Sequence, residues 1–398
     1  MDHSASAGTP ALTRGTSVLL SVATGVVIAN LYFAQPLENA LAETMRVGPD
    51  DVGLVLTLFQ IGYALGLATV VPLGDLVERR RLLIVLIALC VLGLTGLAVA
   101  PGLVVLEVAA VLVGITSVVA QIIVPLAAHL AAPEEQGRAV GVVMSGLLIG
   151  ILLSRTVAGL LASALGWRSV FAAGAVATVI IGILLHRSLP RVAPTTTLTY
   201  PKLLASVVTL VREEPTLRSR MALGALVFAS FSTFWSSIGF LLASPPYEWN
   251  EAAIGAFALL GVAGAVVAKP AGRLSDKGHA QPATGIFLGL IAISFGVLWP
   301  GGHDVVALVI GCAMLDLGCQ GAHLANQSVV YRLRPGAHSR INTAYMTSYF
   351  AGGTLGSGLS AVLVYPRFGW RGVCLLGASF AGLGFLVWGA GRLRKRFS

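Results

Sequence analysis

Three ionisable side chains interrupt otherwise apolar runs of this sequence: Glu107 in 103–129, Arg155 in 140–164 and Asp316 in 305–331. A charge placed within hydrocarbon is costly, so each is a candidate for chemistry. Arg155 stands about ten residues from the C-terminal end of its run, and Asp316 about twelve from the N-terminal end of its own. Those depths are roughly 15 and 18 Å, near the middle of a hydrocarbon core about 30 Å thick. The planar fork of Arg155 suits an anionic or hydrogen-bond-accepting group. A buried carboxyl such as Asp316 is raised in pKa by desolvation and lowered by a nearby arginine, so it can load and release a proton. A permanent Arg155–Asp316 or Arg155–Glu107 pair is the competing arrangement. Glu107, about one turn inside its run, can also snorkel to the interface.

Uncharged polar and aromatic groups surround these charges in the pattern. Gln320, His323 and Gln327 follow Asp316 at helical offsets that keep them within about 40° of its direction. Asn30, Tyr32 and Gln35 cluster in the first apolar run, Gln60 and Tyr63 in the second, Gln121 in the fourth, and Tyr345 and Tyr349 in the eleventh. Phe228, Phe231 and Trp235 form an aromatic stripe in the seventh. Packing between helices accounts for such groups as readily as a ligand wall does. Taken together they describe a mixed apolar and polar pocket for a small amphipathic molecule.

The elements that position these residues follow from composition. Of 398 residues, 56% are hydrophobic and 11% charged, with a mean hydropathy of +0.86. Soluble domains carry about 25% charged residues. Twelve runs are long enough to cross a membrane as helices, near 16–37, 52–73, 82–100, 103–129, 140–164, 169–187, 221–243, 252–270, 282–299, 305–331, 341–364 and 371–391. The fold expected is all-α and polytopic: an N-terminal tail at 1–15, six helices over 16–187, a central loop at 188–220, six helices over 221–391, and a basic tail at 392–398. The central loop reads either as an amphipathic helix on the membrane surface or as a plain linker.

Net charge of +9 follows topology rather than a nucleic-acid surface. With the N-terminus inside, 21 of the 26 Lys and Arg residues fall on the cytoplasmic side, the positive-inside bias. Both termini are then cytoplasmic. Cys90, Cys312, Cys319 and Cys374 lie within spans, without metal spacing or a disulfide framework. No nucleophile elbow, phosphate loop or ATP-binding sequence is present, which argues against an enzyme or an ATP-driven pump. No cofactor or nucleic-acid partner is implied, and a monomer in the lipid bilayer is expected.

The second half repeats landmarks of the first. Asp75 recurs as Asp276 at an offset of 201, Arg138 as Arg340 at 202, and Gly166-Trp167-Arg168 as Gly369-Trp370-Arg371 at 203. Arg155 corresponds to Ser357 and Asp316 to Gly114, so the ionisable candidates sit where the repeat is broken.

Two six-span halves and an acidic-basic loop between spans two and three resemble the major facilitator superfamily, and within it the bacterial drug and sugar efflux antiporters. The loop retains Asp75 and Arg79-Arg80-Arg81, although Val71 and Glu78 replace two glycines of the signature. The second copy keeps Gly272 and Ser275-Asp276. Ala110 stands where this branch commonly has an arginine, and span five lacks the Gly-Pro of the antiporter pattern. By resemblance, the loop latches the cytoplasmic helix ends together when the transporter faces outward, with Asp75, Arg79, Arg80, Asp276, Arg138 and Arg340 as participants and Arg138 as the expected partner of Asp75. The function implied is secondary transport by alternating access: proton-coupled efflux of a small organic compound across the cytoplasmic membrane, driven by the proton gradient. Proton-symport uptake and a non-transporting receptor on the same fold are the alternatives.

Overall fold

The computed structural model describes residues 13–132, 135–192, 194, 198–261, 280–334 and 338–394. The described residues are helical and connecting segments, with no strand among them. In the first half α1 (Arg14–Ala29), α2 (Glu38–Met45), α3 (Pro49–Thr69), α4 (Leu73–Leu76), α5 (Arg79–Val99), α6 (Leu103–Thr116), α7 (Val119–Leu130), α8 (Gln136–Leu165) and α9 (Trp167–Ser188) follow one another. A surface helix, α10 (Tyr200–Glu213), connects to α11 (Pro215–Trp235), α12 (Ile238–Ala243), α13 (Glu251–Phe257), α14 (Ala280–Leu298), α15 (Val305–Val330), α16 (His338–Ser357) and α17 (Tyr365–Arg394). A π-turn, Gly358–Val364, joins the last two.

Nine helical stretches among the described residues are long and apolar enough to cross a membrane, and one of them, Arg340–Ala390, has 51 residues. That stretch has the length of two crossings and breaks at Gly369, whose φ is 60°. Two shorter apolar helices, Arg14–Ala29 and Glu251–Gly261, occupy the first and eighth sequence spans, so the architecture is consistent with twelve. Large apolar side chains such as Val104, Val108, Ile286, Ile293 and Leu386 point outward, where lipid rather than water accommodates them.

Two boundaries differ from the sequence reading. The first span is not one helix: α1 ends at Ala29 and the chain resumes as a 3-10 turn at Gln35–Leu37. Pro36 explains the break, because it lacks an N–H and restricts the residue before it. The seventh span begins early, at Pro215, a residue suited to a helix start. Arg220, counted above with the central loop, therefore lies inside α11, buried to 5% exposure. It donates to Thr284 Oγ1 at 3.0 Å and Asn326 Oδ1 at 2.9 Å, and also to Gln281.

The duplication reappears as repeated contacts. A Cβ on Gly150 of α8 would meet the Gly25 backbone of α1, and one on Gly352 of α16 would meet the Ala225 backbone of α11. These are equivalent helix pairs at an offset of 202, held close by small residues. Between the halves, Gly159 packs on Glu251 and Gly255, while Gly53 packs on Ala361; each pair is the image of the other at the same offset. Gly166 and Gly369 have φ of 80° and 60°, a conformation glycine adopts without a Cβ penalty. The tryptophan after each anchors the turn, Trp167 Nε1 to Thr44 Oγ1 at 3.1 Å and Trp370 Nε1 to Leu298 O at 2.8 Å.

Four hydrogen bonds join the halves among the described residues. They are Phe240 N to Glu38 Oε2 at 3.1 Å, Thr156 Oγ1 to Gly255 O at 2.8 Å, Thr57 Oγ1 with Ser357 Oγ at 3.3 Å, and Ser232 Oγ to Gln60 Oε1 at 3.4 Å. All lie at mid-depth or toward the face that carries α2 and α12. The opposite face carries α10, whose Leu203 and Leu210 are buried while Val208 is exposed. Arg334 binds the end of α10 through Glu213 at 2.9 Å and the adjoining Glu214 at 2.8 Å.

Gly352→Val tests the close helix pair. The added side chain must displace the Ala225 carbonyl, an overpacking that costs about 1–3 kcal/mol. Detergent-solubilised protein is expected to melt several degrees lower than wild type. Gly137→Val, at a glycine whose Cβ would meet nothing within 4 Å, is expected to melt as wild type does.

Candidate functional site

Arg155 projects from α8 into the seam between the halves and is 4% exposed. Its Nε donates to Gln35 Oε1 at 2.6 Å. The break that Pro36 makes in the first span presents Gln35 to it. The guanidinium carbon lies 4.9 Å from the Tyr32 ring centre and 4.3 Å from that of Trp235, so the cation is held between two aromatic faces. Its Nη2 is buried without a hydrogen-bond partner.

Asp316, on α15 of the other half, is 3% exposed. Its Oδ1 accepts from Trp235 Nε1 at 3.2 Å, and Cys312 Sγ lies 3.9 Å from Oδ2. No ion pair within 4.0 Å joins Arg155 to Asp316 or to Glu107 among the described residues. The charges of Arg155 and Asp316 still interact electrostatically. Trp235 stands between them, its ring toward Arg155 and its N–H toward Asp316. It is the last residue of α11, and the helix end turns its indole into the seam. Glu107 remains half-buried near the start of α6.

The remaining candidates fall in several places. Tyr32, Gln35, Gln60, Phe231 and Trp235 line one narrow cavity with Phe59, Phe228, Ser232 and Phe350, and its free space holds about one water molecule. A second group lies beside it. His323 Nδ1 is 3.2 Å from Tyr345 Oη, Tyr349 stacks on Phe228 with ring centres 4.2 Å apart, and Phe228 stacks on Phe231 at 5.5 Å. Gln121 Nε2 reaches Tyr63 Oη at 3.3 Å, and Tyr63 meets Phe350 across the seam at 4.4 Å. Gln320 and Gln327 are half-buried on α15. Asn30 alone is turned away, donating to Thr178 Oγ1 at 3.2 Å inside the first bundle.

Ser232 escaped the sequence reading, although it is the counterpart of Asn30 at an offset of 202. Arg220 was missed because its charge was assigned to the connecting loop. The signal for it was Pro215, which starts a helix ahead of the apolar run.

The loop between α3 and α5 carries a local ion pair in this conformation. Asp75 Oδ1 pairs with Arg79 Nη2 at 3.1 Å, and Arg79 Nε also donates to Gly74 O at 3.0 Å. Arg138 extends into solvent, 80% exposed and 3.9 Å from Glu135, in a conformation whose hydrogen bonds between the halves lie away from this face. The short α4 turn brings Arg79 back over Asp75, so the carboxylate meets a local cation first. Arg80 Nη1 donates to Leu189 O at 3.1 Å, tying this loop to the end of α9. Arg340 lines a groove with Lys202, Glu213 and Arg334, and Asp276 lies outside the described residues.

Gln35→Leu isolates the role of the amide. The change leaves Arg155 Nε buried and unpaired, at a cost of about 1–3 kcal/mol. A lower melting temperature is expected, measured by thermal unfolding in detergent. Gln35→Glu, which restores an acceptor to the buried cation, is expected to recover it.

The family model described as the Major Facilitator Superfamily matches residues 19–330. Over 378 residues the chain is 46% identical to the "Putative uncharacterized transporter YgaY" of Escherichia coli, covering 95% of this chain and 96% of that protein. It is 33% identical over 376 residues to the "Probable transporter SCO4007" of Streptomyces coelicolor, covering 92% and 85%. Among solved structures, a mutant of the nucleoside transporter NupG superposes with a TM-score of 0.76 at 12% identity, covering 94% of this chain and 99% of that one. That last likeness concerns the fold.

Proposed function

The chain belongs to the major facilitator superfamily and is a membrane transporter, and from that premise we propose that it couples a proton gradient to export of a small organic compound. The observation that carries this reading is the Arg155–Trp235–Asp316 arrangement. A cation from one half and a carboxyl from the other face a single indole at mid-depth, in the seam that alternating access must open. Arg155, with Nη2 unpartnered, offers its fork to an anionic or hydrogen-bond-accepting group. The aromatic wall of Tyr32, Phe228, Phe231 and Trp235 receives the apolar body of the same molecule.

Positive-inside orientation sets both termini in the cytoplasm of a bacterial inner membrane. The α2 and α12 face is then the outer one. Because the hydrogen bonds joining the halves lie at mid-depth and toward that face, this conformation is the one closed to the outside. Opening outward parts α8 from α13 and α3 from α16. That movement shifts Arg155 relative to Trp235 and Asp316, and so changes how well the carboxyl is solvated and how strongly the cation stabilises its ionised form. Proton affinity and substrate affinity thereby depend on which way the seam opens. Export rests on the resemblance to efflux antiporters.

The test uses proteoliposomes and an organic anion selected by its thermal stabilisation of the purified protein. Asp316→Asn is expected to abolish flux driven by an imposed pH gradient while counterflow exchange persists. Arg155→Ala is expected to weaken binding by about 10–100-fold, the loss of hydrogen bonds to a charged group. Gradient-driven flux of wild-type size in Asp316→Asn would overturn the proton role.

A further inference from the structure

Glu38 is a second ionisable group in the seam, and the chemistry above makes no use of it. It opens α2, the connection on the outer side of the first span, and is fully buried at 0% exposure. Oε2 accepts the Phe240 N–H of the other half at 3.1 Å, while Oε1 is buried with no hydrogen-bond partner. Glu38 and Phe240 are counterparts at the duplication offset of 202, so the contact sits where the two halves meet their own images.

Among the described residues no cation is placed against Glu38, and burial and the Phe240 N–H are what act on it. α12, packed on α2, has no ionisable side chain along Ile238–Ala243. Tyr365, at the start of α17, feels the charge of Glu38. On α3, Asp51 is turned to the Gly48 N–H at 3.2 Å. Arg155 interacts with Tyr32, Asp316 and Cys312. Burial without a compensating charge pushes the Glu38 carboxyl well above the usual carboxylate range.

We propose that Glu38 is a proton-held catch on the outer seam: it carries a proton while the outer face is closed and releases it to the outer solution when the halves part. The protonated carboxyl keeps Oε2 as acceptor for Phe240 N–H and is neutral in its apolar enclosure. An ionised one is stable only when water reaches it. Closure therefore takes up one proton from the outside, and opening returns it. Below the buried pKa the closed state is favoured; as the outer pH rises through it, the closed-to-open ratio falls by up to about tenfold per unit. The catch rests on the alternating-access reading and is distinct from the coupling proton at Asp316.

The experiment places spin labels at Glu43→Cys and Arg367→Cys, exposed positions on opposite halves of that face; the four native cysteines are buried. Distances are measured by pulsed electron resonance in nanodiscs between pH 6 and 9. The short-distance population is expected to fall at least about fivefold in wild type as pH rises. It is expected to stay high and pH-independent in Glu38→Gln and in Glu38→Leu, which cannot ionise. The wild-type pH slope is expected to persist in Asp316→Asn. A wild-type slope surviving in Glu38→Gln overturns the catch, as does a wild-type distance that ignores pH. A slope lost in Asp316→Asn but kept in Glu38→Gln overturns the catch too, while leaving the transport reading intact.

Discussion

An arginine at mid-depth in a membrane-spanning bundle costs several kcal/mol if it is left without partners. Arg155 meets that cost with one short hydrogen bond to Gln35 and two aromatic faces. A carboxylate in direct contact would have stabilised it more firmly and closed it to any other anion. The indole of Trp235 instead spaces Arg155 from Asp316 while touching both. The separation keeps each charge available, and it depends on where two helices end and on how closely a third packs. Pro36 breaks the first span so that Gln35 faces inward, α11 stops at Trp235, and Gly159 lets α8 approach α13 closely enough to carry Arg155 into the seam.

Close approach is therefore the scaffold's main contribution to the chemistry. In lipid, helices gain little from burying apolar surface against each other, so packing of small residues and buried hydrogen bonds must hold them. The Gly25–Gly150 contact and its image at Ala225–Gly352 set each half as a unit. The Gly159–Gly255 contact and its image at Gly53–Ala361 set the seam between them. Among the described residues few polar bonds span that seam, which suits a boundary that has to open and reform.

Periodicity and charge made the fold legible, because a span of about 20 apolar residues has few alternatives in a membrane. The repeat of Gly-Trp-Arg also had a readable cause: both glycines occupy the left-handed region, and both tryptophans fasten the turn. Side-chain direction was less accessible. Asn30, one residue from Leu31 of the cavity wall, turns into the first bundle because the helix ends there. The pairing of Asp75 with Arg79, four residues on, in this conformation was likewise not readable from the repeat. Arg220 was hidden because charge counting assigns cations to loops, and only the helix start at Pro215 moves it inside. Glu38 lay at a span boundary, where a carboxylate attracts no notice until its second oxygen is found buried.

The duplication also explains why each reactive group occurs once. Near a two-fold axis a residue meets its own counterpart, so an ionisable group kept in both copies would face a like charge. At the Glu38 position the second copy has Phe240, and what it offers across the axis is a backbone N–H that a carboxyl oxygen can accept. Arg155 is matched by Ser357, which shares a hydrogen bond with Thr57 in the equivalent seam. Asp316 is matched by Gly114, where any Cβ would run into the Phe59 carbonyl and the Gly62 and Tyr63 backbone. One helix contact thus needs a glycine where its image holds an acid. The two halves share their packing and divide their chemistry, since a symmetric seam could close sterically but could not hold a cation, a carboxyl and a proton site without repulsion.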